Sequence, residues 1–486
     1  MTSPSKPTSI REVEKVDVAH VEDAQSIDEK EVLPAGKVDY SGFSQKTDPK
    51  EIKLVRKLDL HIMTSLWAMY WLNYLDRNAI ALAKISTITE DLGINDRQYQ
   101  TCVSILFVGY VLTGVPANML LTRIKPSLFL CLLMMTWAVL SICTAFSKSF
   151  IGLLLTRFFL GVVEAPYYPG AILIISNFYT RTEVATRIAI LYTGNILATA
   201  FAGLIAAGIF QLDGVKGFAG WQWLFIIQGS ATGLVAILAY PLLPVTPLST
   251  RWLDAEERQM ANDRLLRDRV DQGEKGSVWS GLRQAVSDPR VWLFCLAQNL
   301  HLSANGFKNF FPSVVQTLGF SRNITLVLTC PPYLIAGIFT LVVSLTSGKY
   351  NERTWHITGC KAFAILGFAL APATLNTATR YVAMCIFTIG TYGVNSIILG
   401  WAATVCSQTV EKKAVTIALM TSISNASFIY TPYLFSDNDK PRYIIAMSAM
   451  AVFSLLCALC ASGMRFILMR QNKSLRLTGA PTTYPY

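Results

Sequence analysis

Charge is scarce along this chain. Only 15% of its 486 residues are Asp, Glu, Lys or Arg, where soluble domains carry about 25%. So few charges cannot cover a water-facing surface, which excludes an ordinary soluble protein of this size. Histidine occurs four times, and no zinc-ligand spacing, nucleophile elbow or nucleotide-binding loop appears. An enzyme is therefore not expected, and neither is a cofactor or a metal. The ten cysteines, among them Cys102, Cys131, Cys143, Cys295, Cys330, Cys385 and Cys406, are scattered through apolar segments. They read as small core residues and not as a disulfide framework. Cys457 and Cys460 form a lone CxxC with no second pair, which points to packing. No signal peptide opens the chain. Residues 1–57 are polar, with Pro4, Pro7, Pro34 and Pro49 among them, and predict a disordered cytosolic tail.

What is present is hydrophobic length. Apolar residues make up 52% of the chain, and mean hydropathy is +0.41. A bilayer is crossed by about 20 apolar residues in a helix. Twelve such spans are predicted, near residues 60–82, 98–121, 127–146, 150–176, 188–210, 221–243, 289–312, 325–347, 357–375, 380–405, 414–434 and 442–468. The net charge of +11 would suggest nucleic acid in a soluble protein. Here the excess gathers in loops on one side of the membrane, at Arg123, Lys125, Lys412, Lys413, Arg465 and Arg470. By the positive-inside rule that side is cytosolic, both termini lie there, and no nucleic-acid partner is expected.

One long internal loop divides the spans six and six. Within it, Asp254-Ala-Glu-Glu257 onward to Arg264 and Arg267 reads as a capped, charged surface helix. The organisation follows: a tail over 1–57, a six-helix bundle over 58–243, a cytosolic linker over 244–288, a second bundle over 289–468 and a tail over 469–486. The fold class is all-α membrane protein, with twelve transmembrane helices in two pseudo-symmetric bundles. Six spans, a basic helix and six more is the layout of the major facilitator fold, in which solute sites lie at the interface of the repeats.

Charges at membrane depth are expensive and need a reason. Span one carries Asn73, Asp76 and Arg77 on one face. Span four carries Arg157 and Glu164 seven residues apart, and Gly161 between them is expected to leave space beside both. Span seven carries His301, Asn305 and Lys308 at i, i+4 and i+7. Buried ion pairs, Asp76 with Arg157 or Glu164 with Arg77, would be the purely structural explanation. Yet apolar replacements often hold a bundle as well. Two carboxylates and two arginines on two helices suit a device that moves charge: an arginine drawn to a substrate carboxylate leaves its acid partner ready to take a proton. Asn195, Asn395 and Asn425 sit mid-span in helices five, ten and eleven, as interhelical glue or cavity lining. The candidate sites are accordingly Asp76, Glu164 and Arg157 for proton coupling. For substrate they are Arg77, Asn73, Asn195, His301, Asn305, Lys308, Asn395 and Asn425.

Several segments carry a family resemblance: WLNYLDRNAI in span one, VPANMLLTRIKPS after span two, RFFLGVVEAPYYPGAILIISNFY in span four, RWLDAEERQMANDR in the central loop, FFPSVVQTLGF and LTCPPYLIAGI around spans seven and eight, and NASFIYTPYLFSDNDKPRY at the end of span eleven. Over residues 58–475 the chain resembles fungal anion:cation symporters of the major facilitator superfamily, the allantoate permease-like group. The resemblance implies that Asp76 and Glu164 are proton sites, that Arg77 meets a substrate carboxylate, and that Arg157 belongs to the coupling network. It also implies that Asn195 and Asn425 line the pocket. The loop between spans two and three departs from the superfamily pattern in lacking its aspartate, and Lys308 has no counterpart to carry over.

The expected function is proton-coupled symport of a small organic anion or vitamin-like carboxylate at the plasma membrane, by a monomer whose partners are the solute, protons and the bilayer. Proton-driven export of a fungal secondary metabolite is the alternative, and a non-transporting nutrient sensor a more distant one.

Overall fold

The computed structural model describes residues 48–121, 124–268, 278–477 and 484. Residues 1–47 of the expected tail, part of the linker and part of the C-terminal tail lie outside them. The chain divides into two compact units, 1–53 and 54–486; all that follows concerns the second, apart from the helix that crosses the boundary.

Among the described residues the only regular elements are helices. Nine helices among them are long and apolar enough to cross a membrane. They are spans three (Pro126–Ala145), four (Phe150–Phe178), five (Thr186–Leu212), six (Gly220–Leu242), eight (Arg322–Tyr350), nine (Thr354–Ala373), ten (Thr377–Val405), eleven (Glu411–Leu434) and twelve (Ile444–Ser474). The other three predicted spans are helices too, with polar interruptions: span one, Thr64–Ala83, span two, Asp96–Leu121, and span seven, Pro289–Ala304.

Both ends depart from expectation. The segment 49–57, expected within a disordered tail, belongs to the helix Pro49–Leu58, whose Leu54, Val55 and Leu58 are buried. Its many charges conceal this short apolar stripe. At the other end, span twelve stays helical to Leu477, past the expected limit of 468. The linker helix Ala255–Asp268 is held by Arg264 on Glu183 at 2.6 Å and by Glu257 on Lys57 at 2.6 Å.

Five spans break, four of them in mid-course and span eight near its start, between Leu328 and Cys330. Span four ends its first half at Glu164, before Pro166, and resumes at Tyr167. Proline lacks the N–H that would continue the ladder. Span seven stops at Ala304, runs as a 3-10 turn over Gly306–Asn309 and restarts as Phe311–Gln316, with Pro312 in the new first turn. Span ten is interrupted between Tyr392 and Asn395, and span eleven between Asn425 and Ser427. The turn in span seven packs closely on span eleven just beyond its break, since a Cβ on Gly306 would lie 2.7 Å from the Thr431 side chain.

Two ion pairs repeat across the halves. Arg187, entering span five, holds Asp59 at 2.9 Å below span one, and Lys412, entering span eleven, holds Asp288 at 2.6 Å below span seven. Burial alone would raise the Asp288 carboxyl, but hydrogen bonds from Arg290 and Lys412 outweigh it and bring it down to about 2.

At the opposite end the halves are pinned together. Lys84 bridges Asp96 at 3.0 Å and Asp437 at 3.2 Å, Gln100 Nε2 donates to the Phe435 carbonyl at 2.8 Å, and Arg322 reaches both Asp213 and Ser86.

The space expected beside Gly161 is absent. A Cβ there would stand 1.9 Å from the Leu106 carbonyl oxygen, and one on Gly109 would stand 2.5 Å from the Phe158 oxygen. These two glycines let spans two and four cross with backbones almost touching. Because the obstacle is backbone, Gly161→Ala is expected to cost about 1–3 kcal/mol or more and to lower the melting temperature of the purified protein. Gly114→Ala on span two, where nothing lies within 4 Å, is expected to leave it unchanged or raised. Equal melting temperatures for the two variants would refute this packing.

Candidate functional site

A cavity of about 1070 Å³, its open mouth included, lies between the halves, lined from spans one, two, four, five, seven, ten and eleven. All eight residues expected to meet substrate line it: Asn73, Arg77, Asn195, His301, Asn305, Lys308, Asn395 and Asn425. Glu164 does so as well, whereas Asp76 and Arg157 stand behind the wall.

Several of the side chains at the wall come from the helix breaks. Glu164 ends the first half of span four. Its Oε2 accepts from Arg77 Nε at 3.0 Å and from Arg77 Nη2 at 2.7 Å, while Oε1 is buried without a hydrogen-bond partner. The Arg77 guanidinium also stacks over Tyr74 and Tyr110, at 5.0 and 5.2 Å from the ring centres. Of the two expected ion pairs only this one forms. The Asp76 carboxylate instead accepts from Thr232 at 3.0 Å and Ser141 at 3.4 Å, between spans one, three and six. The shared face expected for Asn73, Asp76 and Arg77 is thereby split: Asn73 and Arg77 face the cavity, and Asp76 faces the neighbouring helices. Arg157 is 2% exposed. Its Nη2 donates to the Arg77 carbonyl at 3.4 Å, and its Nε and Nη1 are unpartnered.

In the other half, Lys308 sits on the 3-10 turn of span seven. Its ammonium lies 4.3 Å from the centre of the Phe428 ring, and no carboxylate among the described residues pairs with it. Asn305 and His301 precede it on the same wall. Asn395 accepts from Gln298 at 2.7 Å, and its amide reaches the Tyr192 hydroxyl at 3.4 Å, so it joins spans seven and ten to span five. Asn195 accepts from Thr199 at 3.4 Å, and Asn425 donates to the Thr421 carbonyl at 2.8 Å.

Two features of the site escape the sequence reading. One is aromatic: Tyr70, Tyr74, Tyr110, Tyr167, Tyr168, Tyr192 and Tyr392 all line the cavity, with Tyr70 stacked on Tyr168 at 5.6 Å. The spacing of Tyr70, Tyr74 and Arg77 at i, i+4 and i+7 was a usable signal. The other is Lys361, a lone lysine in the otherwise apolar span nine, wholly buried with its ammonium 3.0 Å from His301 Nδ1.

Charged groups on a polar cavity between two broken-helix bundles define a membrane carrier of small solutes. The chain belongs to the Major Facilitator Superfamily, whose model matches residues 66–432; it is a transporter and not an enzyme. Among its relatives are an uncharacterized transporter of Schizosaccharomyces pombe, 30% identical over 87% of this chain and 88% of that one, and the MFS-type transporter efuF of Hormonema carpetanum, 31% identical over 82% and 81%. The high-affinity nicotinic acid transporter of Saccharomyces cerevisiae is 25% identical over 93% and 84%. Of solved structures, a bacterial homologue of the lysosomal transporter Spinster, inward-facing and unoccupied, shares the fold with a TM-score of 0.68 and 17% identity over 86% of this chain and 97% of its own. The D-xylose-proton symporter does so with a TM-score of 0.64 and 13% identity over 84% and 97%.

The Arg77–Glu164 pair is removed from water, with side-chain exposures of 10% and 0%. Losing one partner strands a buried charge at about 3–5 kcal/mol, while losing both does not. Thermal unfolding of Arg77→Met and Glu164→Gln is expected to show a large loss for each, and a smaller loss for the double variant than for either. Additive losses would contradict the pairing.

Proposed function

We propose that this chain is a proton-coupled symporter of a small organic anion, a carboxylate of vitamin-like size, within the anion:cation symporter branch of the superfamily. The observation that carries the reading is the charge on the cavity wall. Arg77 is already neutralised by Glu164, whereas Lys308 faces the same cavity with no acid partner among the described residues. An anionic solute supplies the missing charge. Arginine suits bidentate capture of a carboxylate. When the solute draws Arg77 away, Glu164 is left buried with a free carboxylate, and the proton it then takes restores neutrality. Asp76 and Arg157, directly behind the pair, are the proposed remainder of the coupling network. The nicotinic acid transporter among the relatives supports a small aromatic acid as the first solute to try, and the tyrosines of the wall offer faces on which such a ring can lie. The proposed setting is the plasma membrane with both termini cytosolic.

An uptake screen over organic acids and vitamins, in cells expressing the chain, tests this. At least one acid is expected to accumulate, to lose accumulation when the proton gradient is collapsed, and to lose it again in Arg77→Ala by a factor of about ten or more, the scale of one charge-assisted contact. Uptake indifferent to the proton gradient would sink the reading.

A further inference from the structure

The second half buries proton-carrying groups that the reading above leaves unused. Lys361 of span nine and His301 of span seven are both 0% exposed, and Lys361 Nζ lies 3.0 Å from His301 Nδ1. The other titratable groups against Lys361 are Cys360 on its own helix and Cys457 of span twelve. Lys308 faces His301 from farther along span seven. No carboxylate among the described residues pairs with Lys361, and span ten presents none to it. At the second ring nitrogen, His301 Nε2 meets Asn305 Nδ2 at 3.3 Å. The same amide nitrogen donates to the His301 carbonyl oxygen at 3.2 Å.

A neutral imidazole has one N–H and one lone pair, while an ammonium and an amide nitrogen only donate. Two donors therefore compete for one acceptor. With Lys361 charged, Nδ1 accepts from it, Nε2 carries the hydrogen, and that N–H is set against the Asn305 amide hydrogens. Turning the amide over gives no relief, because its oxygen would then abut the His301 carbonyl. With Lys361 neutral, its amine accepts from Nδ1–H and Nε2 accepts from Asn305, so both ring nitrogens are satisfied. A solute oxygen beside Nε2 and Asn305 reverses the preference. It accepts from both, and its negative charge favours the ammonium behind them.

We propose that Lys361, His301 and Asn305 form a second proton site, at which a proton on Lys361 Nζ and an oxyanion at His301 Nε2 and Asn305 Nδ2 bind together. A hydronium of the cavity gives its proton to His301 Nε2 as the Nδ1–H proton passes to Lys361 Nζ, so one imidazole N–H bond breaks, two N–H bonds form and water is left. This rests on the anion-symport reading and adds to it a coupling site in the second half.

The test uses the full chain purified in detergent, as wild type, Lys361→Met and, should that variant misfold, Lys361→Gln. Apparent melting temperatures are followed from neutral to alkaline pH, without ligand and with nicotinate or acetate as probe. Without probe, a neutral Lys361 means that folding releases a proton. The wild-type melting temperature should then rise with pH relative to the variant. Probe should flatten that difference by bringing the proton back. Parallel pH profiles without probe overturn the proposal, and so does a difference that neither probe alters. In proteoliposomes, absence of proton-driven uptake in wild type sinks the functional reading itself. Uptake whose proton dependence is unchanged in Lys361→Met sinks the second site alone. Loss of that dependence in Lys361→Met with uptake retained supports it.

Discussion

A peptide backbone that leaves the helix inside a bilayer loses its hydrogen bonds and finds no water in the lipid to replace them. Such breaks survive only where protein or a wet cavity covers them. Spans four, seven, ten and eleven all break, and all four line one cavity. The rest of the site depends on that constraint. Glu164 closes one broken segment, Asn305 and Lys308 occupy a second, Tyr392 and Asn395 flank a third, and Asn425 ends the first part of a fourth. Prolines at 166, 312 and 432 remove donors beside these breaks, so polar side chains reach the wall where the backbone can turn.

The two halves treat charge differently. In the first, Arg77 and Glu164 neutralise one another, and hydroxyls serve Asp76. In the second, Lys308 has a ring for a neighbour and Lys361 a histidine. On the proposed reading this asymmetry is the mechanism: one half holds an acid that can be released to a proton, and the other holds basic groups that lack an anion. Neither arrangement would be retained for stability alone, since buried charges are costly and apolar side chains pack as well.

Around the cavity the scaffold is built from close contact and repetition. Glycines at 109 and 161 bring spans two and four together. The Asp59–Arg187 and Asp288–Lys412 pairs occupy matching places in the two halves, as expected of an internally repeated carrier. The bridge from Lys84 to Asp96 and Asp437 ties the halves at the end opposite the linker helix.

The membrane, the helical class and the charged and amide side chains of the cavity wall were legible in the sequence, but its tyrosines were not. Apolar length and buried charge are local properties, and a charge in lipid has few places to go. The sequence reading misjudged the helix Pro49–Leu58, where polar composition conceals three buried apolar side chains. It also misjudged Gly161, whose bare face is filled by the backbone of another helix. It passed over Lys361 because a single lysine in an apolar run carries no partner in sequence. The pairing of these groups came from packing: Arg77 with Glu164 and not Asp76 with Arg157, and Lys361 with His301 from a helix sixty residues away. Helical spacing assigns a side chain to a face, but which neighbouring helix stands against that face is settled by the packing of all of them together.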